Sequence, residues 1–386
     1  MKFTCNVKEM EKALNLVSAC VLAKPPAPIL AGLHIVAKDG KVVFHGVNDV
    51  FLGVNGMEAD VKEEGEVLIN SARFVELVKG SGGDDITVST NKAYSAVSIK
   101  SGSTQFKFVP MKVEHFPAIP KTEGEDWEKA FSLPFKELNR LVKQTAFAIG
   151  RSADKKDLRA IFRGNLCIME KDKLTFVGTN ALRMAVASVP AEISEYALKR
   201  NMVVIPPGAM TAILRRTGLE GDDIVGVYFH KDMVNNDRIM FKGDGWSVVS
   251  QLVAGPIADV RGVIPKSCAT SFTMERKELA GAITRMALVG GVDEGYSIIG
   301  MEIGDGRVRV YAQSPDAGSG EETVECETEG KPLNIAFNAG FWQDMLVNVP
   351  GEKVTLSFNN RLNPAMAKVP DDDSFVYVLT PVSKTF

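Results

Sequence analysis

The chain has 386 residues, of which 45% are hydrophobic and 24% are charged, as in ordinary folded domains. No apolar run approaches the roughly 20 residues that a membrane-spanning helix needs, and the first residues lack the apolar core of a signal peptide. The net charge of −3 disfavours a simple, strongly basic nucleic-acid-binding domain, although it leaves room for one locally basic surface.

The cysteines point to a reducing compartment. Their number is odd, they are scattered along the chain, and none belongs to a Cys-x-x-Cys pair, which disfavours a disulfide framework or a zinc site. We therefore expect a cytoplasmic protein whose cysteines are free: Cys5, Cys20, Cys167, Cys268 and Cys326.

The chain opens with a strand-like segment that runs into a helical pattern, and this opening occurs three times. The copies begin at Phe3, Phe131 and Phe272, and each continues with Lys-Glu, an apolar residue and further apolar residues at helical spacing. The spacing of about 130 residues is typical of tandem repeats.

Two further signals follow each opening in the same order. Strand-like segments occur at 41–44, 173–176 and 307–310, and strands leading into a second helix occur at 67–78, 203–214 and 333–346. Any α+β chain contains scattered strand–helix pairs, but three signals in one order favour three similar domains. We predict an α+β fold of antiparallel sheets with two helices per domain, over 1–127, 128–265 and 266–386.

The triplicated unit resembles the beta subunit of bacterial DNA polymerase III, the sliding clamp family. The resemblance covers the whole chain, and the segments that carry it are Met1–Thr4, Lys24–Leu30, Phe106–Pro117, Arg159–Gly164, Thr179–Arg183 and Tyr377–Val382. It implies a DNA clamp fold whose helices line a hole, with the sheets outside. Two chains would pair head to tail into a ring-shaped homodimer.

The resemblance also implies a non-catalytic processivity factor that encircles double-stranded DNA without reading its sequence. Its implied partners are a second copy, the polymerase catalytic subunit, the clamp loader and other clients that bind through short linear peptides. No membrane, cofactor or metal is implied. The alternatives are a specialised clamp paralogue with altered or lost partners and, more distantly, an enzyme with an unrecognised site.

Charge placement is consistent with DNA inside a ring. The six predicted helix segments together carry +5 in a chain of net charge −3. A positive lining would attract phosphates without base-specific contacts, although basic residues also favour exposed helix faces in general.

The candidate DNA contacts come partly from the resemblance and partly from charge. The resemblance places basic positions at Lys24 and Arg73 and a DNA-contacting loop at Lys156, whereas Ala160 and Ile161 replace aromatic residues and argue against base stacking there. Charge alone adds Arg140, Lys143, Lys199, Arg200, Arg215, Arg276 and Lys277.

In the family, clients insert a peptide into an apolar pocket between the second and third domains. The matching residues are Phe162, Thr179, Ala181, Arg183, Met184, Val263, Leu362, Pro364, Val378, Leu379, Thr380, Pro381 and Val382. The usual Thr-Asp-Gly-His-Arg becomes Thr-Asn-Ala-Leu-Arg, and the usual Met-Pro ending becomes Thr-Pro. We therefore expect an altered peptide preference; alternatively, these residues only pack the domain junction.

The dimer contact is assigned by resemblance to two apolar pairs. Phe106 and Phe108 alternate along a strand and so share a face, and Ala287 and Leu288 occupy the matching position in the third domain. Without the resemblance, all four could equally be core residues of their own domains.

No catalytic motif emerges from the chain. The four histidines, His34, His45, His115 and His230, lack metal-ligand spacing on one helix. The run Gly80-Ser81-Gly82-Gly83 follows a helix and lacks the Lys-Ser/Thr of a phosphate loop, so we expect a turn there.

Overall fold

A computed structural model describes residues 1–22, 24–48, 51–122, 124–150, 159–215, 221–232, 234, 237–290, 292–293 and 296–383. Within these residues the chain forms seven α-helices. Their bounds are Val7–Ala19 (α1), Ser71–Lys79 (α2), Phe135–Thr145 (α3), Glu195–Arg200 (α4), Pro207–Leu214 (α5), Arg276–Ala287 (α6) and Ala339–Asn348 (α7).

The chain divides into two compact units. The first unit contains Met1–Asn139, Ala191–Asn201 and Ile205–Val253. The second unit contains Arg140–Pro190, Met202–Val204 and Ala254–Phe386.

The first unit has two antiparallel sheets. Its strands are Lys2–Asn6 (β1), Gly32–Lys38 (β2), Lys41–Val47 (β3), Phe51–Glu58 (β4), Asp60–Glu63 (β5), Gly65–Asn70 (β6), Asp85–Thr90 (β7), Val97–Ser101 (β8), Thr104–Phe108 (β9), Trp127–Pro134 (β10), Ile224–His230 (β15), Arg238–Gly243 (β16) and Trp246–Gln251 (β17). The sheet orders are β5-β1-β7-β8-β9 and β10-β15-β16-β17-β4-β3-β2-β6. Helix α1 packs against α2, α5 and strands β3 and β4.

The second unit repeats this plan. Its strands are Asn165–Glu170 (β11), Lys173–Thr179 (β12), Arg183–Pro190 (β13), Met202–Ile205 (β14), Thr270–Glu275 (β18), Val292–Asp293 (β19), Tyr296–Gly304 (β20), Arg307–Ser314 (β21), Gly318–Glu325 (β22), Glu327–Gly330 (β23), Leu333–Asn338 (β24), Lys353–Phe358 (β25), Ala365–Val369 (β26) and Asp372–Leu379 (β27). The larger sheet has the order β14-β11-β12-β13-β27-β26-β25-β18-β23. The smaller sheet runs β19-β20-β21-β22, with β24 also paired to β20. Helices α6 and α7 pack on each other.

Strand pairing crosses both predicted domain junctions. In the first unit, β4 pairs with β17 from Trp246↔Asn55 to Ser250↔Phe51. In the second unit, β13 pairs with β27 from Arg183↔Leu379 to Ala187↔Phe375. Each junction is therefore a continuous ladder of backbone hydrogen bonds, which fixes the register of the residues at the strand ends.

The internal repeat is visible at the level of single hydrogen bonds. Thr4 and Thr87 share a cross-strand hydroxyl contact of 2.9 Å between β1 and β7, and Thr273 and Thr355 share one of 2.8 Å between β18 and β25. Such paired threonines stabilise neighbouring strands. These matched contacts place β1 and β18, and likewise β7 and β25, at equivalent positions of the repeat.

The second helix of each repeat differs in how its first turn is capped. Asn70 and Asn338 accept backbone N–H groups at the starts of α2 and α7, whereas Pro206 precedes α5 and offers no side-chain cap. Helix α5 begins at Pro207 and ends at Leu214, and Arg216 lies outside the described residues.

The central repeat carries a short helix, α4, in addition to the two that were predicted for each domain. Ser194 caps its start by accepting from the Ala197 N–H at 3.3 Å, and Asn201 ends it in a left-handed conformation. None of the helices in the described part of the chain is both long enough and apolar enough to cross a bilayer.

Candidate partner-peptide site and basic residues

The predicted peptide site begins at the tight turn that joins β12 to β13. Asn180 Oδ1 accepts from the backbone N–H groups of Leu182 and Arg183 at 3.1 and 3.0 Å, and the Thr179 hydroxyl donates to the Arg183 carbonyl at 2.8 Å. Ala181 adopts φ +73°, a left-handed conformation that costs about 1–2 kcal/mol for a residue with a Cβ. The turn leaves Leu182 half exposed at its tip.

Arg183 lies inside this unit, at only 4% exposure. Its Nη1 pairs with Asp344 Oδ2 on α7 at 2.6 Å, and its Nη2 donates to the Phe147 carbonyl. The guanidinium also lies 4.4 Å from the ring centre of Phe341, within cation–π range. The charge of this predicted pocket residue is therefore committed to contacts within the chain.

Tyr377 on β27 is buried next to the residues that surround Arg183. Its hydroxyl donates to the Phe341 carbonyl at 3.0 Å, and burial raises the pKa of the phenol well above its usual range. Tyr377 is thus a neutral hydrogen-bond donor that fixes the start of α7 beside β27.

A row of residues lies at one end of three paired strands. Arg183 pairs with Leu379, and Leu379 pairs with Ala365, so Leu182, Thr380 and Pro364 directly adjoin these paired ends. The Thr380 N–H and hydroxyl both donate to the Leu182 carbonyl, at 2.9 and 2.8 Å. The register of the three strands thus brings together Leu182, Pro364 and Thr380 from distant parts of the sequence.

The thirteen predicted pocket residues differ in accessibility. Thr179, Arg183, Met184, Val378 and Leu379 are buried. Phe162, Pro364, Thr380, Pro381 and Val382 are partly buried, whereas Ala181, Val263 and Leu362 are exposed. The residues free to contact a ligand directly are therefore the partly buried and exposed ones, together with Leu182.

The predicted DNA-contacting residues also separate into two groups. The side chains of Lys24, Arg73, Lys143, Lys199, Arg215 and Lys277 are exposed. The other three described candidates are arginines tied to neighbours within the chain, and Lys156 lies outside the described residues. Ala160 and Ile161 are buried, so neither presents a side chain for stacking.

The three tied arginines serve the fold. Arg140 donates to Gln144, Ser374 and the Ser188 carbonyl. Arg200 makes a two-point ion pair with Asp237 at 2.6 and 2.7 Å. Arg276 donates to the carbonyls of Leu346 and Gly351, at the end of α7. Their guanidinium groups are less available to phosphates than the exposed cations.

The predicted dimer residues lie on the edge strand β9 and at the end of helix α6. Phe106 and Phe108 pair with Ile99 and Val97 and lie on one face of β9, as predicted. Phe106 is 48% exposed and Leu288, at the end of α6, is 78% exposed, so the alternative that both are core residues is wrong. Ala287 is partly buried, and its carbonyl accepts from the Ser297 hydroxyl at 2.9 Å.

Comparison with known families accounts for nearly the whole chain. Three consecutive family models match: the N-terminal domain of the DNA polymerase III beta subunit over residues 1–120, its central domain over 132–259 and its C-terminal domain over 261–383. The chain belongs to the DNA polymerase III beta subunit family. The family resemblance and the clamp fold of three tandem domains predicted from the sequence are confirmed.

Individual relatives of this beta-subunit chain are distant but match at full length. A beta sliding clamp of Staphylococcus aureus strain Mu50 is 25% identical over 392 residues, covering 99% of both chains. The DNA polymerase sliding clamp of Bacillus subtilis superposes with a TM-score of 0.87 at 24% identity, covering 100% of both chains. A DnaN sliding clamp of Pseudomonas aeruginosa bound to griselimycin gives 0.88 at 24% identity, again over both whole chains.

Four residues that adjoin the predicted site of this family member were not among those predicted from the sequence. Leu182 was visible as an apolar residue within a polar turn, a signal that exposure at the tip confirms. Phe147, Phe341 and Asp344 had no such signal, because only the tertiary fold brings them to Arg183.

Proposed function

We propose that this chain is the processivity factor of a bacterial replicative polymerase, a non-catalytic clamp that closes around duplex DNA as a head-to-tail homodimer. The observation that carries the proposal is the succession of all three family domains across residues 1–383, with a fold that matches sliding clamps end to end. Such a role places the protein with the chromosome in the cytoplasm. The domain bounds 1–127, 128–265 and 266–386 remain part of the proposal.

The DNA contact is proposed to be electrostatic and independent of sequence. Helices α2, α3 and α6 each carry excess positive charge, while α7 carries one negative charge and α1 and α5 are neutral. Among the basic candidates we favour the exposed ones: Lys24, Arg73, Lys143, Lys199, Arg215 and Lys277. Lysines and arginines of this kind hold phosphates loosely and allow sliding.

The client site is proposed to consist of the row Leu182, Thr380 and Pro364 at the strand ends, together with exposed apolar residues of the predicted pocket. Leu182, Val263 and Leu362 expose apolar side chains, and the buried Met184 and Val378 pair with each other next to Arg183 and Leu379. A short peptide with aliphatic or aromatic anchors fits such a surface, because a few buried side chains carry most of the binding energy in groove recognition. The polymerase catalytic subunit and the clamp loader are the proposed clients.

Topological retention on DNA tests the proposal. The chain is loaded by its clamp loader with ATP onto a nicked circular plasmid, and bound and free protein are separated by gel filtration before and after the plasmid is linearised. A clamp stays on the circle and is released from the linear form. Blocking both linear ends with a tightly bound protein should restore retention.

Other outcomes decide between functions. Equal retention on circular and unblocked linear DNA would mean ordinary DNA binding and would overturn the clamp proposal. Retention on neither form, by a chain that is dimeric in solution, would favour the specialised paralogue that no longer binds a loader or clients.

A further inference from the structure

The first strand of each repeat has one side that is covered differently in the three repeats. Strand β5 covers that side of β1, and β23 covers that side of β18, both as antiparallel pairs. In the central repeat, β10 pairs only with β15 among the described residues and ends its sheet. An uncovered strand edge presents backbone groups that can pair with another strand.

Helix α4 stands in the chain where the other two repeats have the covering strand. Strand β5 lies between β4 and β6 in chain order, and β23 lies between β22 and β24. At the same place in the central repeat, between β13 and β14, the chain forms α4. Ser194, the residue that caps α4, donates its N–H to the Ala130 carbonyl of β10 at 2.9 Å. The segment before α4 therefore covers β10 at Ala130 without forming a strand.

The uncovered part of the β10 edge is centred on Ser132. The Phe135 N–H donates to the Asp223 carbonyl at 2.7 Å, on the side of β15. Since backbone groups alternate in direction along an antiparallel strand, the N–H and carbonyl of Ser132 point away from β15. Pro134 faces the same way but has no N–H to donate. A strand added here would therefore be short and would bond mainly to Ser132.

A groove of about 310 Å³ lies along this edge. One wall is β10 from Lys129 to Ser132, and the other wall contains Glu192 and Ser194, just before α4. All of these residues belong to the first unit. The groove therefore offers space next to the backbone groups of Ser132.

The hydroxyl of Ser132 is also unpaired. Its equivalents in the other repeats, Thr4 and Thr273, each share a hydroxyl contact with a threonine of the neighbouring strand. Gly226 lies opposite Ser132, and Ser132 Oγ is buried with no hydrogen-bond partner among the described residues. Unused hydrogen-bonding groups are thus concentrated at Ser132.

Lys129 supplies the charge that selects an occupant. Lys129 is exposed and has no ion-pair partner among the described residues. Met1 has the equivalent position in the first repeat, and its N-terminal ammonium lies 3.7 Å from Glu63 of β5. Strands β5 and β23 each have four residues and a net negative charge. The strands that cover the equivalent edges are therefore short and acidic.

We propose that β10 accepts a short, acidic, extended segment of a partner protein as an antiparallel strand, bonded to the backbone of Ser132 and with a carboxylate beside Lys129. Backbone pairing would supply the affinity, and Lys129 the selectivity. None of the groove residues belongs to the sets proposed for DNA, for the dimer contact or for client peptides. The groove would therefore hold a second protein in addition to a client.

A peptide that copies residues 58–65, the segment around β5, is the probe. Its binding to the full-length chain is measured by titration through the broadening of its NMR signals, which detects weak binding to a much larger molecule. We expect Ser132→Pro to weaken binding roughly fivefold or more, because it removes the N–H at the free edge. Ser132→Ala, which keeps that N–H, is the matched control and should retain most of the affinity.

A charge exchange tests the contact with Lys129. Lys129→Glu should weaken binding of the probe by about two- to fivefold, and a probe carrying Glu63→Lys should bind this variant better than it binds the unaltered chain. Glu192→Lys should strengthen binding of the original probe, because it removes a negative charge from the second wall. Lys92→Glu, at an exposed lysine of the same unit, is the control and should change nothing.

The outcomes separate this proposal from the clamp function. A probe that does not bind the unaltered chain, or that binds Ser132→Pro and the unaltered chain equally, would overturn the docking site. If Ser132→Pro does not fold, as judged by its circular dichroism spectrum, the charge exchange decides: affinity that the Glu63→Lys probe does not regain counts against the site. Retention on circular DNA is measured independently and is expected to be the same in all of these variants that fold.

Discussion

Arg183 in the second unit and the His34–His45 pair in the first are two inward-facing basic sites that the fold treats in opposite ways. Arg183 remains charged and is matched by the carboxylate of Asp344 at 2.6 Å. His45 stacks on His34 with ring centres 5.3 Å apart, and burial, with a smaller contribution from the charge of His34, lowers its pKa to about 4. The buried guanidinium of Arg183 is charged, whereas the imidazole of His45 is neutral at neutral pH.

The difference follows from the chemistry of the two side chains. Guanidinium does not lose its proton in proteins, so a buried arginine requires an anion or other acceptors nearby. Imidazole titrates near neutrality, so a partly buried histidine without a carboxylate of its own can become neutral instead. His34 holds the nearby carboxylate, Glu66, at 2.8 Å, and within the described residues His45 Nδ1 has no hydrogen-bond partner.

The largest expected effect comes from removing the anion of the charged site. Asp344→Ala leaves the Arg183 guanidinium buried without its carboxylate, which we expect to cost about 3–5 kcal/mol of unfolding free energy. Arg183→Met should cost less, because Asp344 is 38% exposed and can be hydrated once it is alone. Urea unfolding followed through Trp342, with Trp127 and Trp246 replaced by Phe, measures both.

The control for this series is a surface carboxylate of the same unit. Asp373 pairs with Lys368 at 3.1 Å, and its side chain is 96% exposed, so Asp373→Ala should change stability by less than about 1 kcal/mol. If Asp344→Ala is as mild as Asp373→Ala, the Arg183 charge is not stabilised by its ion pair.

The neutral site predicts a dependence on pH. The folded-state pKa of His45, about 4, lies below its ordinary value of 6.5, so the unfolded chain binds the proton more readily. Stability from this group is complete above pH 6.5 and is lost as the pH falls towards 4, by at most about 3 kcal/mol. Urea unfolding at intervals between pH 7 and 4 measures the decrease.

Two substitutions assign that slope to one histidine. His45→Phe should flatten the profile between pH 6.5 and 4, whereas His115→Gln, at an exposed position, should leave it unchanged. A profile that is equally steep in His45→Phe would place the titrating group elsewhere.

The two sites also show which features of the fold could be predicted from the sequence and which could not. The repeats, the antiparallel sheets and the position of Phe106 and Phe108 on one face of their strand followed from periodicity, because strand and helix spacing are local properties. The partner of Arg183 did not, since Asp344 lies 161 residues away in the sequence, on α7, and meets Arg183 only in the folded chain. Family resemblance placed position 183 in the predicted site, but it could not show that the charge faces inward.

A smaller effect concerns peptide binding next to Arg183. Since that charge is committed inward, the exposed apolar row should supply the affinity, and Leu182→Ala should weaken a Gln- and Leu-containing clamp-binding peptide about 5- to 30-fold, or about 1–2 kcal/mol. Met184 is a poorer probe because it is 3% exposed, and a charge there would disturb folding. Calorimetric titration measures the change.

The matched control replaces an exposed aliphatic residue of the other unit. Ile224 is 60% exposed, and Ile224→Ala should leave peptide affinity unchanged. Leu182→His, which restores the usual family residue, tests whether the altered turn sets peptide preference. Equal affinity in Leu182→Ala and the unaltered chain would place the client site elsewhere.

The smallest effect on stability, and the clearest contrast with Arg183, is expected at the exposed cations. Joint replacement of Lys24, Arg73 and Lys143 by Gln should leave the unfolding midpoint nearly unchanged, because none of these side chains is buried. It should instead make the negative slope of log K against log salt shallower, by about 0.9 for each phosphate that the protein no longer neutralises. The matched control replaces three other exposed lysines, Lys38, Lys92 and Lys331. An identical salt slope in the two triple variants would show that exposure alone does not select the DNA-facing charges, and Lys199, Arg215 and Lys277 would then be the set to replace.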